Sequence, residues 1–121
     1  MKVKIDTKEK MHVITIAEEK LSANMTGEME NILLDFLQQP VSNVVLNFKE
    51  VHIIDLEPAK TLAIIQQKFY EKNHSMVFCH LQPQVSDFLD KNDLLEIFNI
   101  TPTESEAWDM VQMEEIEREF L

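Results

Sequence analysis

Two short apolar runs limit what this chain can fold into more than any other feature. In residues 41–48, "VSNVVLNF", Val44, Val45, Leu46 and Phe48 follow one another with almost no polar alternation, and residues 75–81, "SMVFCHL", behave alike. A strand with one wet face alternates apolar and polar residues, whereas a nearly continuous apolar run is covered on both faces. Between the two runs, Pro58 opens a window to about Lys72. There Ala59, Leu62, Ala63, Ile64, Ile65 and Phe69 make an apolar side at helical spacing. Proline suits the first helical position, because its missing N–H is no loss there. Doubly covered strands joined by an amphipathic helix predict parallel neighbours and a right-handed crossover.

The other segments extend this pattern. Residues 2–8 and 11–17 are β-rich, with Val3, Ile5 and Val13 among polar neighbours, and the break between them predicts a hairpin. Residues 23–38 place Met25, Met29, Ile32, Leu33, Phe36 and Leu37 on one helical stripe, with Ser22 or Asn24 as its cap. Gly27 weakens its first turn. "PQVSDFLDKN" predicts a short helix with Val85, Phe88 and Leu89 inward, and a short strand follows at about 97–100. Thr103 and Glu106 form a T-x-x-E capping box that starts a last helix, running through Ala107, Met110 and Val111 towards residue 121. Ile116 and Phe120, four apart, predict that its acidic tail still packs on something. The order β-β-α-β-α-β-α-β-α predicts one α/β domain over 1–121. Its sheet is mixed and mostly parallel, of four to five strands, with about four helices and the first hairpin strand antiparallel.

Composition narrows the function classes. Eleven Lys/Arg against 22 Asp/Glu leave a net charge of −11, which argues against nucleic acid and anionic membrane surfaces. The acidity either keeps the chain soluble or complements a basic patch on a partner. No apolar stretch approaches the ~20 residues of a membrane span, and "MKVKIDTKEK" lacks the apolar region of a signal peptide. With a single cysteine, Cys79, set in an apolar run, a buried thiol and a reduced cytoplasmic compartment are expected.

The motifs of catalysis are missing. His12, His52, His74 and His80 are scattered, and His74, Cys79 and His80 do not share one face of a strand, so no metal is expected. Gly27 is the only glycine, which leaves no loop to cradle a phosphate and no expected cofactor. The carboxylates Asp55 and Glu57 have no nucleophile or base beside them, so no catalytic residue is assigned. What remains is the junction "IIDLEPAKTL" at 53–62, where a strand ends on Asp-Leu-Glu-Pro as a helix begins. The unpaired N–H groups of a helix start suit an anion or a small switchable surface.

That junction carries a family likeness. "NVVLNFKEVHIIDLEPAKTLAII" resembles the "vvlDlsgvtfiDSSGlgaLl" signature of the STAS family, the domain of sulfate transporters and anti-sigma-factor antagonists. "EKLSANMTGEME" stands where that family has a G-x-L-D turn. "MVFCHLQPQVSDFLDKNDLLEIFNI" resembles its following strand-helix segment, and "TESEAWDMV" its closing helix. The likeness spans about residues 3–112 and implies a protein-interaction domain in bacterial transcription regulation rather than an enzyme. In antagonists of the family the second serine of D-S-S-G is phosphorylated by a kinase-like anti-sigma factor. By position Asp55 matches the aspartate, Leu56 the first serine, Glu57 the phosphorylated serine and Pro58 the glycine.

The resemblance thus implies a partner surface at Asp55, Leu56, Glu57, Pro58 and Thr61, and at Glu57 a phosphosite that cannot be phosphorylated. Glu57 brings one negative charge where phosphoserine brings about −1.5 to −2. It either imitates the phosphorylated state, marks a remodelled surface, or only stabilises the helix dipole by about 0.3–1 kcal/mol. Thr61 is a displaced phosphosite or, as is commoner for such a threonine, a packed or back-bonded one. Leu56 either anchors a partner or tucks under the helix. The expected partner is a kinase-like anti-sigma regulator, bound by a monomer or weak dimer. The alternatives are an accessory STAS subunit of a membrane transporter ATPase and a small anionic-ligand or nucleotide-binding module.

Overall fold

The structure, a computed structural model, describes residues 1–120. Strand β1 (Val3–Thr7) turns back on β2 (His12–Ile16) as an antiparallel hairpin, in register from Val3 opposite Ile16 to Thr7 opposite His12. All later pairings are parallel: β2 with β4 (Val44–Asn47), β4 with β6 (Met76–Cys79), and β6 with β7 (Ile100–Thr101). The sheet order is β1-β2-β4-β6-β7, so the two apolar runs form its centre, and every residue of β4 and β6 is buried. Four helices cover it: α1 (Thr26–Asp35), α2 (Leu56–Glu71), α3 (Pro83–Lys91) and α4 (Glu104–Glu119).

Alternation along the strands sorts the core into two layers. Ile14, Val44, Leu46, Met76 and Phe78 face α1, α2 and α3, meeting Met29, Leu33, Leu62, Ile65, Phe69 and Leu89. Val13, Val45, Val77 and Cys79 face the other way onto Ala107 and Val111. Three helices therefore share one face of the sheet, and α4 alone covers the other. Thr103 caps α4 by accepting from the Glu106 N–H at 3.2 Å, as the T-x-x-E spacing predicts.

With one glycine in the chain, left-handed helix ends fall to other residues. After α2, Asn73 takes φ 62°, its N–H donating to the Tyr70 carbonyl at 3.1 Å, while the His74 N–H reaches Phe69 at 2.9 Å. Asp93, with φ 58°, closes α3 in the same way through Leu94 and Leu89. Short polar Asn and Asp tolerate this conformation best after glycine.

Four expectations shift. Helix α2 starts at Leu56, with Asp55 at the N-cap position, so Pro58 is its third residue rather than its first. The first four N–H groups of a helix have no internal partner, so proline sacrifices no hydrogen bond there either. The last strand lies at Ile100–Thr101 rather than 97–100. Ile64, two residues beyond buried Leu62, points to the far side of α2 and is 52% exposed. Helix α4 ends at Glu119, and Ile116 and Phe120 are turned largely to solvent rather than into the core, being 54% and 82% exposed; Leu121 lies outside the described residues.

Candidate functional site

The junction at 53–58 is held by a second, very small sheet. Strands β3 (Lys20–Leu21) and β5 (Ile53–Ile54) pair in parallel, Lys20 opposite Ile53 and Leu21 opposite Ile54. The His52 and Ile53 N–H groups both donate to the Glu19 carbonyl, at 2.8 and 3.1 Å, and the Asp55 N–H donates to Leu21 at 3.0 Å. This ladder lays the approach to α1 beside the approach to α2.

Asp55 completes the lacing. Its Oδ2 accepts from the Ala23 N–H at 2.9 Å, the first N–H of a single 3-10 turn, Ala23–Met25, that leads into α1. Its Oδ1 lies 3.9 Å from the Lys20 ammonium. The aspartate thus stands at the N-cap of α2 while its side chain serves the other helix start; it makes no cap bond to α2 itself. Neither Ser22 nor Asn24 caps α1 as expected. Ser22 donates instead to Asn24 Oδ1 at 2.5 Å, and the task passes to Asp55, which the mini-sheet brings within reach.

Beyond this brace the surface opens. Leu56 is 38% exposed, so it is presented at the surface rather than tucked beneath the helix. Glu57 and Lys60 are exposed, and Glu57 makes no hydrogen bond or ion pair among the described residues. Pro58 and Ala59 are buried under them, and Thr61 is half-buried. Ile53, 52% exposed, and Ile64 one turn beyond Lys60 widen the apolar area on either side of Leu56. Neighbours on a strand face opposite ways, so Ile54 turns inward and Ile53 outward. The exposed surface around the junction therefore also presents Ile53, Lys60 and Ile64, whose exposure sequence reading missed. Helical phase relative to Leu62 and Ile65 could have revealed Ile64; a two-residue strand offers no period from which to place Ile53.

Little else invites chemistry. The cavity beneath β5 and α2, among Phe48, Leu62, Phe78 and Phe98, measures about 10 Å³ and is lined only by apolar side chains. No three His, Cys, Asp or Glu side chains among the described residues come together as metal ligands. His12 is buried with both ring nitrogens engaged, Nδ1 accepting from Thr7 Oγ1 and Nε2 donating to the Val41 carbonyl, each at 2.9 Å. Burial pushes the Cys79 thiol up to about 12, with Glu104 adding to the shift, so it stays protonated and unreactive near neutrality. No helix among the described residues is long and apolar enough to cross a membrane.

A mixed five-stranded sheet with three helices on one face and one on the other, and a braced helix start at its edge, defines an α/β domain of STAS type. The chain belongs to that family: residues 2–107 match the STAS domain. The fold is shared with several solved structures. The Thermotoga maritima protein TM1081 superposes with a TM-score of 0.77 at 19% identity, over 91% of this chain and 94% of that one. The anti-sigma factor antagonist SpoIIAA in its unphosphorylated form gives 0.72 at 16%, over 92% and 96%. The murine anion transporter Slc26a9 gives 0.72 at 13%, over 86% of this chain but 18% of the transporter. At such identities the likeness establishes the fold alone. No curated protein sequence matches the chain.

Proposed function

We propose that this STAS domain is a non-catalytic interaction module, resembling an anti-sigma-factor antagonist. It binds a regulatory protein through the loop and helix at 55–62 without a serine switch. The observation that carries this reading is the exposed apolar trio Ile53, Leu56 and Ile64, framing the free carboxylate of Glu57 on a rigid, laced support. Leu56 and Glu57 meet the partner, Asp55 and Pro58 shape the surface, and Thr61 lies at its margin. Glu57 stands where the resembling signature carries its phosphorylated serine. A carboxylate there cannot be phosphorylated as serine is, and it stays negative whatever kinase is present. The partner is a kinase-like anti-sigma regulator, and recognition is constitutive.

The test is affinity purification of the tagged chain from its native host, in parallel with Glu57→Ser, Glu57→Lys and Leu56→Asp forms. Recovery of one regulator, lost with Leu56→Asp and altered by both Glu57 changes, supports the reading. Equal recovery with all forms refutes it. The alternative reading is an accessory subunit of a membrane transporter ATPase; co-purification of such an ATPase would select it. A saturable thermal shift with nucleotides would favour an anionic-ligand module instead.

A further inference from the structure

We propose that the outer face of α4, together with the groove between α4 and the edge strand β7, is a second docking surface. Its occupant is a basic amphipathic helix of a protein partner. The inner face of α4 is pinned by a polar network. Ser75 Oγ donates to Glu114 Oε1 and accepts from Arg118 Nη2, both at 2.6 Å; Tyr70 OH donates to the same Glu114 oxygen at 2.8 Å; and Asn43 Nδ2 donates to Glu115. These bonds fix which side of α4 meets the sheet, so the opposite side faces solvent. On that side Met113, Ile116 and Phe120, spaced three and four apart, are 60%, 54% and 82% exposed and form one apolar row.

The charge around the row names the occupant. Helix α4 holds seven carboxylates and one guanidinium, and that guanidinium, Arg118, is turned inward onto Ser75. Glu106, Asp109 and Glu117 border a groove of about 450 Å³ whose apolar lining is Met110 and Met113. Flexible, polarisable methionines adapt to apolar side chains, while the carboxylates attract Lys and Arg flanking them. An amphipathic helix laid along α4 would set its own apolar anchors, at i, i+3, i+4 and i+7, against Met110 and Met113 in the groove and against Ile116 and Phe120 beside it. A second copy of this chain fits badly, since acidic faces of a protein of net charge −11 would meet. Anionic lipid or nucleic acid is repelled for the same reason. The surface lies on the sheet face opposite α2, so it stands independently of the 55–62 site.

The probe is a fluorescein-labelled 18-residue helix with Leu at i, i+3, i+4 and i+7 spacing and Lys at the other positions, compared with a scrambled peptide of equal composition that has no apolar face. Anisotropy titrations would use the wild-type chain and two surface double variants, Met113→Ser/Ile116→Ser and Asp109→Asn/Glu117→Gln. Amide shifts in two-dimensional NMR would map the contact. Tighter binding of the amphipathic probe than of the scrambled one, a loss of at least tenfold in each variant, and shifts centred on α4 and β7 support the proposal. Undiminished binding to Met113→Ser/Ile116→Ser would mean mere charge attraction and overturn it. So would shifts centred on α2, or self-association of the wild type that Ile116→Ser abolishes.

Discussion

Replacing Asp55 by alanine removes an acceptor that ties two helix starts together. The bond from the Ala23 N–H, 2.9 Å long, ends on an ionised oxygen, and hydrogen bonds to charged groups contribute about 1.5–3 kcal/mol. Ala23 is exposed, so water replaces part of what is lost, and the net cost falls to about 1–2 kcal/mol. The Lys20 ammonium adds little, because at 3.9 Å the pair is half exposed on both sides and such pairs contribute about 0–1 kcal/mol. For a domain of this length the loss lowers Tm by about 3–10 °C. Asp55→Asn keeps a neutral acceptor, roughly half as strong, so its loss is about half that of alanine. Glu57→Ala, two residues on, exposed and in no hydrogen bond or ion pair among the described residues, stays within about 0.5 kcal/mol of wild type. Urea unfolding followed by circular dichroism measures all three. An Asp55→Ala protein as stable as wild type, or an asparagine form no better than alanine, would refute the bracing role.

Gly27 lies in the first turn of α1, where an added Cβ meets nothing within 4 Å, so Gly27→Ala is expected to gain about 0.5–1 kcal/mol in a thermal melt. Asn43 donates to the Lys10 carbonyl and accepts from the buried Ser75 N–H at 2.8 Å; Asn43→Ala strands that N–H and should cost about 2–3 kcal/mol in urea unfolding. The Cys79 thiol keeps its proton in the fold up to about 12, whereas the unfolded chain releases it near its ordinary value. Its contribution is therefore complete below that value and is lost as pH rises. Relative to Cys79→Ala, wild type should lose about 1.4 kcal/mol for each pH unit above the ordinary thiol pKa, as seen in urea midpoints at pH 8, 9 and 10.

The parts of this fold governed by period were open to reading. Val44–Phe48 and Met76–Cys79 announce central strands because doubly covered strands lack alternation, and the Thr103 cap follows from one short spacing. Four helices, a five-stranded mixed sheet and the family follow from their succession. What escaped depends on contacts between distant segments. Two-residue strands such as Lys20–Leu21 have no period, and the reach of Asp55 to Ala23 exists only once β3 and β5 lie side by side. The exposure of Ile116 and Phe120 escaped for the converse reason. An apolar pair four apart reads the same whether it faces a core or open solvent.

The small β3–β5 ladder also determines what kind of epitope the 53–64 region is. Its shape depends on residues 32 positions apart, Ala23 and Asp55, and on Glu19 and Leu21 receiving the N–H groups of residues 52, 53 and 55. Excised as a linear peptide, Ile53–Ile64 would keep its side chains and lose the frame that sets their spacing. The surface is discontinuous in the immunologist's sense: antibodies raised against the folded domain would recognise it, and antibodies raised against the short peptide would not.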